Sequence, residues 1–285
     1  MTNDALNQFS FFTRPMRAGR TVGLAVFVIT IFSLIALTKN CSAADLMKPQ
    51  AIEDPSGLAL QHFYEALKQT EQQTPASLTR IIHYGDSHVA ADWLTGKLRR
   101  NVQRDFGAES LIYEARGING ARATKPLGWN WKVLAEQFSK RNPDLIVVAY
   151  GSNEVGDADL DLTEYQQQFT ELLQRFHKAA PQASLLVLAP PDREQFVRGK
   201  WRTMPAMLDL IEVQRQAAFA EGAAFWNQFQ AMGGAGSINH WAQFSQPLAQ
   251  KDRTHLTRVG YSLVADAFYA ELLCGYEEYL NAKEN

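Results

Sequence analysis

Residues 145–154 read Leu145-Ile146-Val147-Val148-Ala149-Tyr150-Gly151-Ser152-Asn153-Glu154, five apolar residues closed by a glycine turn. A short run rich in branched side chains, stopped by glycine, predicts a strand buried on both faces, as in parallel sheets. Working outward, further short apolar runs occur at Ile81-Ile82, 111–113, 185–189 and 223–226. Between them lie longer stretches of helical periodicity at 91–105, 129–140, 163–179 and 204–220, with a last one from about 258 to 280. Alternation of this kind predicts an α/β protein, with helices on both faces of a central parallel sheet. Ahead of it, residues 45–78 predict a lead-in helix with Leu58, Phe63 and Leu67 at helical spacing, followed by the polar linker QTEQQTPAS. The divisions expected are therefore 1–44, 45–78 and 79–285.

The 285 residues are 46% hydrophobic and 20% charged, with 28 Lys plus Arg against 30 Asp plus Glu. That balance excludes a disordered or collagen-like chain and gives no electrostatic reason to expect a nucleic-acid partner. The N-terminus departs from it. Residues 21–38, TVGLAVFVITIFSLIALT, carry no charge and follow Arg14, Arg17 and Arg20. Eighteen such residues rise about 27 Å as a helix, near the thickness of a bilayer's hydrocarbon core, and the preceding cations keep the N-terminus cytoplasmic. Everything after Lys39 is then exported, to the periplasm or cell envelope. Cys41-Ser42-Ala43-Ala44 offers small residues suited to signal cleavage, so a cleaved signal peptide and a retained inner-membrane anchor both remain open. The part after residue 44 carries 24 Lys plus Arg against 29 Asp plus Glu and a single cysteine, Cys274. It can form no internal disulfide. The six histidines are scattered without metal-ligand spacing, so no metal site is expected.

Ligand sites in open parallel sheets lie at the carboxyl ends of the strands. The first strand ends in His83-Tyr84-Gly85-Asp86-Ser87-His88, which puts Ser87 at the mouth of a helix, either as a nucleophile or as a cap. The second ends in Arg116-Gly117-Ile118-Asn119-Gly120-Ala121, where glycine lets the backbone approach a bound group. The third delivers Asn153, an amide donor, unless it serves only the turn. Near the C-terminus, Asp252-Arg253-Thr254-His255 sets an acid three residues before a histidine it can orient.

In that order, Gly-Asp-Ser, Gly, Gly-x-Asn and Asp-x-x-His resemble the SGNH or GDSL hydrolase superfamily over about residues 79–280. The stretch Gly85–Asp92, together with Phe225-Trp226, Met232–Ser237 and Pro247-Leu248-Ala249, resembles its exported bacterial carbohydrate esterases, which include peptidoglycan O-acetylesterases. The resemblance implies a flavodoxin-like three-layer α/β/α sandwich around a five-stranded parallel sheet. It implies Ser87, Asp252 and His255 as a catalytic triad, an oxyanion hole from Ser87, Gly120 and Asn153, and no cofactor. Gly120 fits the family's later loop glycine better than Gly117. Glu154 departs from the family, many of whose members have Asp there, and the GxSxG elbow of ordinary α/β-hydrolases is absent. Asp92, Trp226 and Met232 are candidate substrate contacts, with Trp241 and Arg116 beside them; core packing and surface ion pairs are the competing readings for these side chains.

The expected activity is removal of O-acetyl groups from a cell-envelope polysaccharide, with an O-acetylated glycan such as peptidoglycan as partner. Two other readings stay open. The same serine can pass the acetyl group to a sugar hydroxyl, as an O-acetyltransferase, or the scaffold can bind glycan without catalysis. A long-chain lipase would need an extended apolar groove.

Overall fold

The computed structural model describes residues 46–72 and 78–284, and residues 46–285 form one compact unit. Residues 1–45, with the expected signal or anchor stretch 21–38, and residues 73–77 at the end of the expected linker lie outside the described residues. Among the described residues no helix is long and apolar enough to cross a membrane.

Five strands make the central sheet: β1 (Thr79–Gly85), β2 (Leu111–Gly117), β3 (Leu145–Ala149), β4 (Ser184–Leu188) and β7 (Ala224–Trp226). Their order is β2-β1-β3-β4-β7, and every pairing is parallel. This is the expected doubly wound arrangement, whose ligand crevice opens where the strand order reverses, beside β1 and β3. Leu145, Ile146, Val147, Leu186 and Val187 are fully buried. Such strands need apolar side chains in both directions because helices cover both faces.

Helices α1 (Gln61–Glu71), α3 (Trp93–Phe106) and α9 (Arg258–Glu284) pack together on one face. On the other, α4 (Trp131–Arg141), α5 (Leu162–Ala179) and α6 (Met207–Ala220) enclose a core of Tyr84, Val148, Phe169, Phe176 and Leu210. Local sequence sets the helix starts: Asp161 accepts the N–H groups of Thr163 and Glu164 ahead of α5, and Asn130 accepts that of Val133 in α4. Each uses a short polar side chain to satisfy an orphan donor.

The segment ahead of β1 is built into the sandwich. Glu53 bridges Phe225 beside β7, and Gln50 O accepts the Trp226 indole N–H at 2.7 Å. Phe63 and Leu67 are buried as their spacing predicts, but Leu58 lies before α1 and is 63% exposed. The Asp54 carboxylate explains the difference, since it accepts the N–H groups of Ser56, Gly57 and Ala59 and holds residues 54–59 in a turn.

Two further pieces were not expected. A hairpin of β5 (Glu194–Val197) and β6 (Lys200–Thr203) stands outside the main sheet, and the short helices α7 (Gln228–Ala231) and α8 (Ser237–Ala242) follow β7. The hairpin turn places Arg198 at φ 51° and Gly199 at φ 79°, the two left-handed positions that a tight two-residue turn requires.

Candidate active site

Three strand ends meet at one edge of the sheet, because the register pairs Gly85 with Gly117 on β2 and with Ala149 on β3. Gly85 is confined: a Cβ there would lie 2.4 Å from Val89 Cγ2 and 2.6 Å from Ala149 O. Only glycine lets β1 turn at once into α2 (Ser87–Ala90). The cap of that turn is Asp86, whose carboxylate accepts the His88 N–H at 2.9 Å. Ser87 is thereby released from capping, and its hydroxyl bonds His255 Nε2 at 2.8 Å.

His255 is oriented from its other side. Its Nδ1 lies 2.7 Å from Asp252 Oδ2, while Asp252 Oδ1 accepts the N–H groups of Thr254 and His255, each at 3.0 Å. Arg253 takes a left-handed φ of 53°, which curls the loop until residue 252 faces residue 255. The loop is closed behind by the Ala249–Leu256 bridge and by Gln250 N–H donating to His255 O at 2.8 Å. Partial burial works against charge on Asp252, but the hydrogen bonds from the His255 ring and from the His255 and Thr254 amides outweigh it and hold its carboxyl below the ordinary range. An ionised Asp252 in this geometry fixes Nδ1 as the protonated nitrogen and leaves Nε2 to accept the Ser87 proton.

Behind His255 lies a second imidazole. The His88 ring centroid is 5.2 Å from that of His255, and its Nδ1 is 2.7 Å from Tyr261 Oη. Burial, reinforced by the neighbouring His255, pushes His88 down to about 3. It remains neutral at working pH and supports His255 without opposing a positive charge there.

The loop after β2 supplies the opposite wall. Ile118 N–H donates to Gly85 O at 3.0 Å, and Ala121 N–H closes a turn onto Ile118 O at 3.0 Å. Gly120 sits third in that turn at φ 71°, a position that favours glycine. A Cβ at Gly120 would meet nothing within 4 Å, whereas one at Gly117 would lie 2.0 Å from Ala90 N. Gly117 is therefore a packing glycine and Gly120 an open one. Two consecutive residues tie the loop down: Asn153 Nδ2 donates to Ala121 O at 2.8 Å, and Glu154 Oε1 accepts Ala123 N–H at 2.7 Å. One amide hydrogen of Asn153 is left for another acceptor. Burial raises the carboxyls of both Glu154 and Asp86, the latter to about 7.

A family model described as GDSL-like lipase/acylhydrolase matches residues 77–263. The chain belongs to this family. Its members cleave acyl esters, and this chain is an ester-bond hydrolase of the same kind. Comparison with curated proteins by sequence finds no match. Among solved structures, a peptidoglycan O-acetylesterase superposes with a TM-score of 0.73 at 16% identity, over 80% of this chain and 99% of that one. The acetyl xylan esterase AlAXEase gives 0.54 at 16% identity, over 67% and 98%. LAE5, an α/β hydrolase from the metagenome of Lake Arreo in Spain, gives 0.51 at 18%, over 69% and 95%. At these identities the likeness establishes the shared fold.

Not every residue singled out from the sequence lies at the site. Trp226 is fully buried, its ring 5.0 Å from and tilted against that of Phe268 and its indole N–H donated to Gln50 O, and Met232 is 2% exposed. Both belong to the core, which corrects the expectation that they contact substrate; Trp241, 1% exposed, is likewise core. Asp92 is accessible, at the start of α3 with φ 52°, and its Oδ1 accepts from Thr95 and Arg99. Sequence reasoning missed the hairpin beside the histidine loop. Glu194 N–H of β5 donates to Arg253 O at 2.9 Å, and the Arg253 guanidinium lies 5.2 Å from the Trp201 ring centroid. The arginine–glycine turn was its one signal.

Proposed function

We propose that the protein is an exported serine esterase that removes O-acetyl groups from a cell-envelope polysaccharide, with peptidoglycan the leading candidate. The observation that carries this reading is the unbroken line from Ser87 Oγ through His255 to Asp252, at 2.8 and 2.7 Å. His255 takes the serine proton as Ser87 Oγ attacks the ester carbonyl. The Ser87 and Gly120 N–H groups and the Asn153 amide then stabilise the tetrahedral oxyanion, each donor being worth about 2.7–4 kcal/mol at the transition state. His255 returns the proton to the departing sugar oxygen, and a water deprotonated by the same ring releases acetate.

The side chains of His255 and Asp252 are 33% and 46% exposed, so water reaches the general base. That access favours hydrolysis over transfer to a second sugar, which needs water kept out. The peptidoglycan O-acetylesterase and the acetyl xylan esterase among the structural neighbours both act, by their names, on acetylated glycans. The apolar stretch 21–38 behind three arginines supports export, either as a signal peptide or as an inner-membrane anchor.

The test is acetate release by the full chain from 4-nitrophenyl acetate and from O-acetylated peptidoglycan, beside Ser87→Ala. Release from both that vanishes in the variant is the expected result. Undiminished release by a folded Ser87→Ala protein would remove the serine mechanism, and release from the small ester alone would remove the glycan.

A further inference from the structure

On the β2 side of Ser87 the surface opens into a groove of about 390 Å³. Its floor is the junction of α2 with the end of β2, where Val89 and Ala90 face Gly117. Ala90 is three residues from Ser87, so the groove begins about 5 Å along the helix from the nucleophile. It is mainly polar, and four charged side chains line it: Asp92, Arg99, Glu114 and Arg116. The lining suits a hydrated polymer. It does not suit a long acyl chain.

The charges around the groove do not balance. Glu114 Oε2 accepts from Arg116 and, at 2.6 Å, from Arg141 as well. Asp92 pairs with Arg99 at 3.0 Å and also feels Arg100; together with the Thr95 hydroxyl these outweigh partial burial and hold its carboxyl below the ordinary range. Within the lining two carboxylates face two guanidiniums, and Arg141 and Arg100, which act on the same carboxylates from outside it, bring two further positive charges into a chain whose net charge is -2. The Arg116 and Arg141 side chains are 46% and 39% exposed. Arg99 is fixed by donating its Nε–H to Tyr113 O at 3.0 Å and its terminal nitrogens to the two Asp92 oxygens, at 3.0 and 3.4 Å. Planar guanidiniums held in this way match a carboxylate's two oxygens.

We propose that this groove is a subsite for a carboxylate-bearing sugar next to the acetylated one, and that the substrate is therefore an anionic glycan. The inference rests on the esterase reading of Ser87 and deepens it. Arg116 and Arg99 bind the carboxylate, and the sugar carrying the acetyl group lies across α2 at Ser87. A uronic acid and a lactyl-ether amino sugar both present this group. A neutral xylan does not.

The test is equilibrium binding to the full chain carrying Ser87→Ala, so that no ligand is turned over. The probes are oligogalacturonate, peptide-free peptidoglycan glycan strands and neutral xylo-oligosaccharide, followed by titration calorimetry. At low salt at least one anionic ligand binds about tenfold or more tightly than the neutral one. That margin shrinks as sodium chloride rises from about 0.05 to 0.5 M. Arg116→Gln or Arg99→Gln in the same background weakens the anionic ligand roughly five- to tenfold and the neutral one less than about twofold. Preference for the glycan strands over oligogalacturonate, or the reverse, identifies the source of the carboxylate. Equal, salt-insensitive affinity for charged and neutral ligands overturns the proposal, as does an equal loss for both in the arginine variants. Failure of the wild-type chain to cleave 4-nitrophenyl acetate defeats the esterase reading separately, because the binding comparison does not depend on turnover.

Discussion

The loop in front of the site and the layer behind it handle carboxylates in opposite ways. In front, Asp252 is nearly half exposed and collects hydrogen bonds from the His255 ring and two backbone amides, which keep it ionised. Behind, Asp86 and Glu154 are 1% and 3% exposed, and burial outweighs their backbone hydrogen bonds, so their carboxyls are raised. The charge that an imidazolium at His255 would need in the proposed mechanism is kept where water and amides sustain it. The carboxyls that only hold backbone are buried, where a neutral group costs less.

The largest effect that tests this division is Asp252→Asn. The amide keeps the loop's shape but favours the wrong imidazole tautomer, and kcat on 4-nitrophenyl acetate should fall about 10,000-fold with the fold intact. A loss below about tenfold would mean that Asp252 is a loop brace and that the front and back carboxyls do the same work. Next in size is Asn153→Ala, which removes the proposed oxyanion donor and the Ala121 tie together. It should lower kcat roughly a hundredfold or more and also lower the melting temperature. A lower melting temperature with kcat unchanged would assign Asn153 wholly to the backing layer.

How far the sequence foretold this site follows from where each signal lies. The strands could be read because LIVVA and its counterparts are short apolar runs, and Ser87, Gly120 and Asn153 follow the ends of those strands within a few positions. Asp-x-x-His could be read because its contact is local, spanning three residues. What escaped depends on contacts distant in sequence. Nothing near Trp226 says that Gln50 will take its indole N–H, and nothing near His88 says that Tyr261 and His255 will enclose its ring. The β5–β6 hairpin escaped for another reason: arginine occupies a left-handed turn position where asparagine or glycine is the usual marker.

The same division has a signature in stability against pH. The raised carboxyl of Asp86, at about 7, lies above the ordinary aspartate value near 3.9 of the unfolded chain. Between those values the folded chain holds a proton that the unfolded chain has lost. The contribution is fully present below the unfolded value and is lost as pH rises through about 7. Asp252 runs the other way, its contribution being lost as pH falls through its lowered value. Thermal melts should therefore show wild-type stability declining between about pH 4 and pH 7, and Asp86→Asn flattening that decline while still accepting the His88 N–H. Glu154 adds to the field at Asp86 and Arg193 opposes it, and a residual slope in the variant belongs to the other carboxyls that burial raises, Glu154 and Glu194 among them. An unaltered slope would show that Asp86 is ionised in the fold, and the contrast with Asp252 would fail.

The smallest effect concerns Gly120, where backbone conformation and space for a side chain separate. At φ 71° an alanine costs about 1–2 kcal/mol in the left-handed region, but its methyl group meets nothing within 4 Å. Gly120→Ala should therefore fold, melt a few degrees lower, and lose activity only as far as the strained turn tilts its N–H away from the oxyanion. Gly117 offers no such latitude, because a methyl there would overlap Ala90 N at 2.0 Å and push α2, with Ser87 at its head, off the end of β1. If Gly120→Ala loses as much activity as Asn153→Ala at an unchanged melting temperature, the Gly120 N–H is a donor as strong as the amide and the turn is tuned for chemistry. If it loses only stability, the front of the site depends on Asn153 and the Ser87 N–H, and Gly120 is there to let the chain turn.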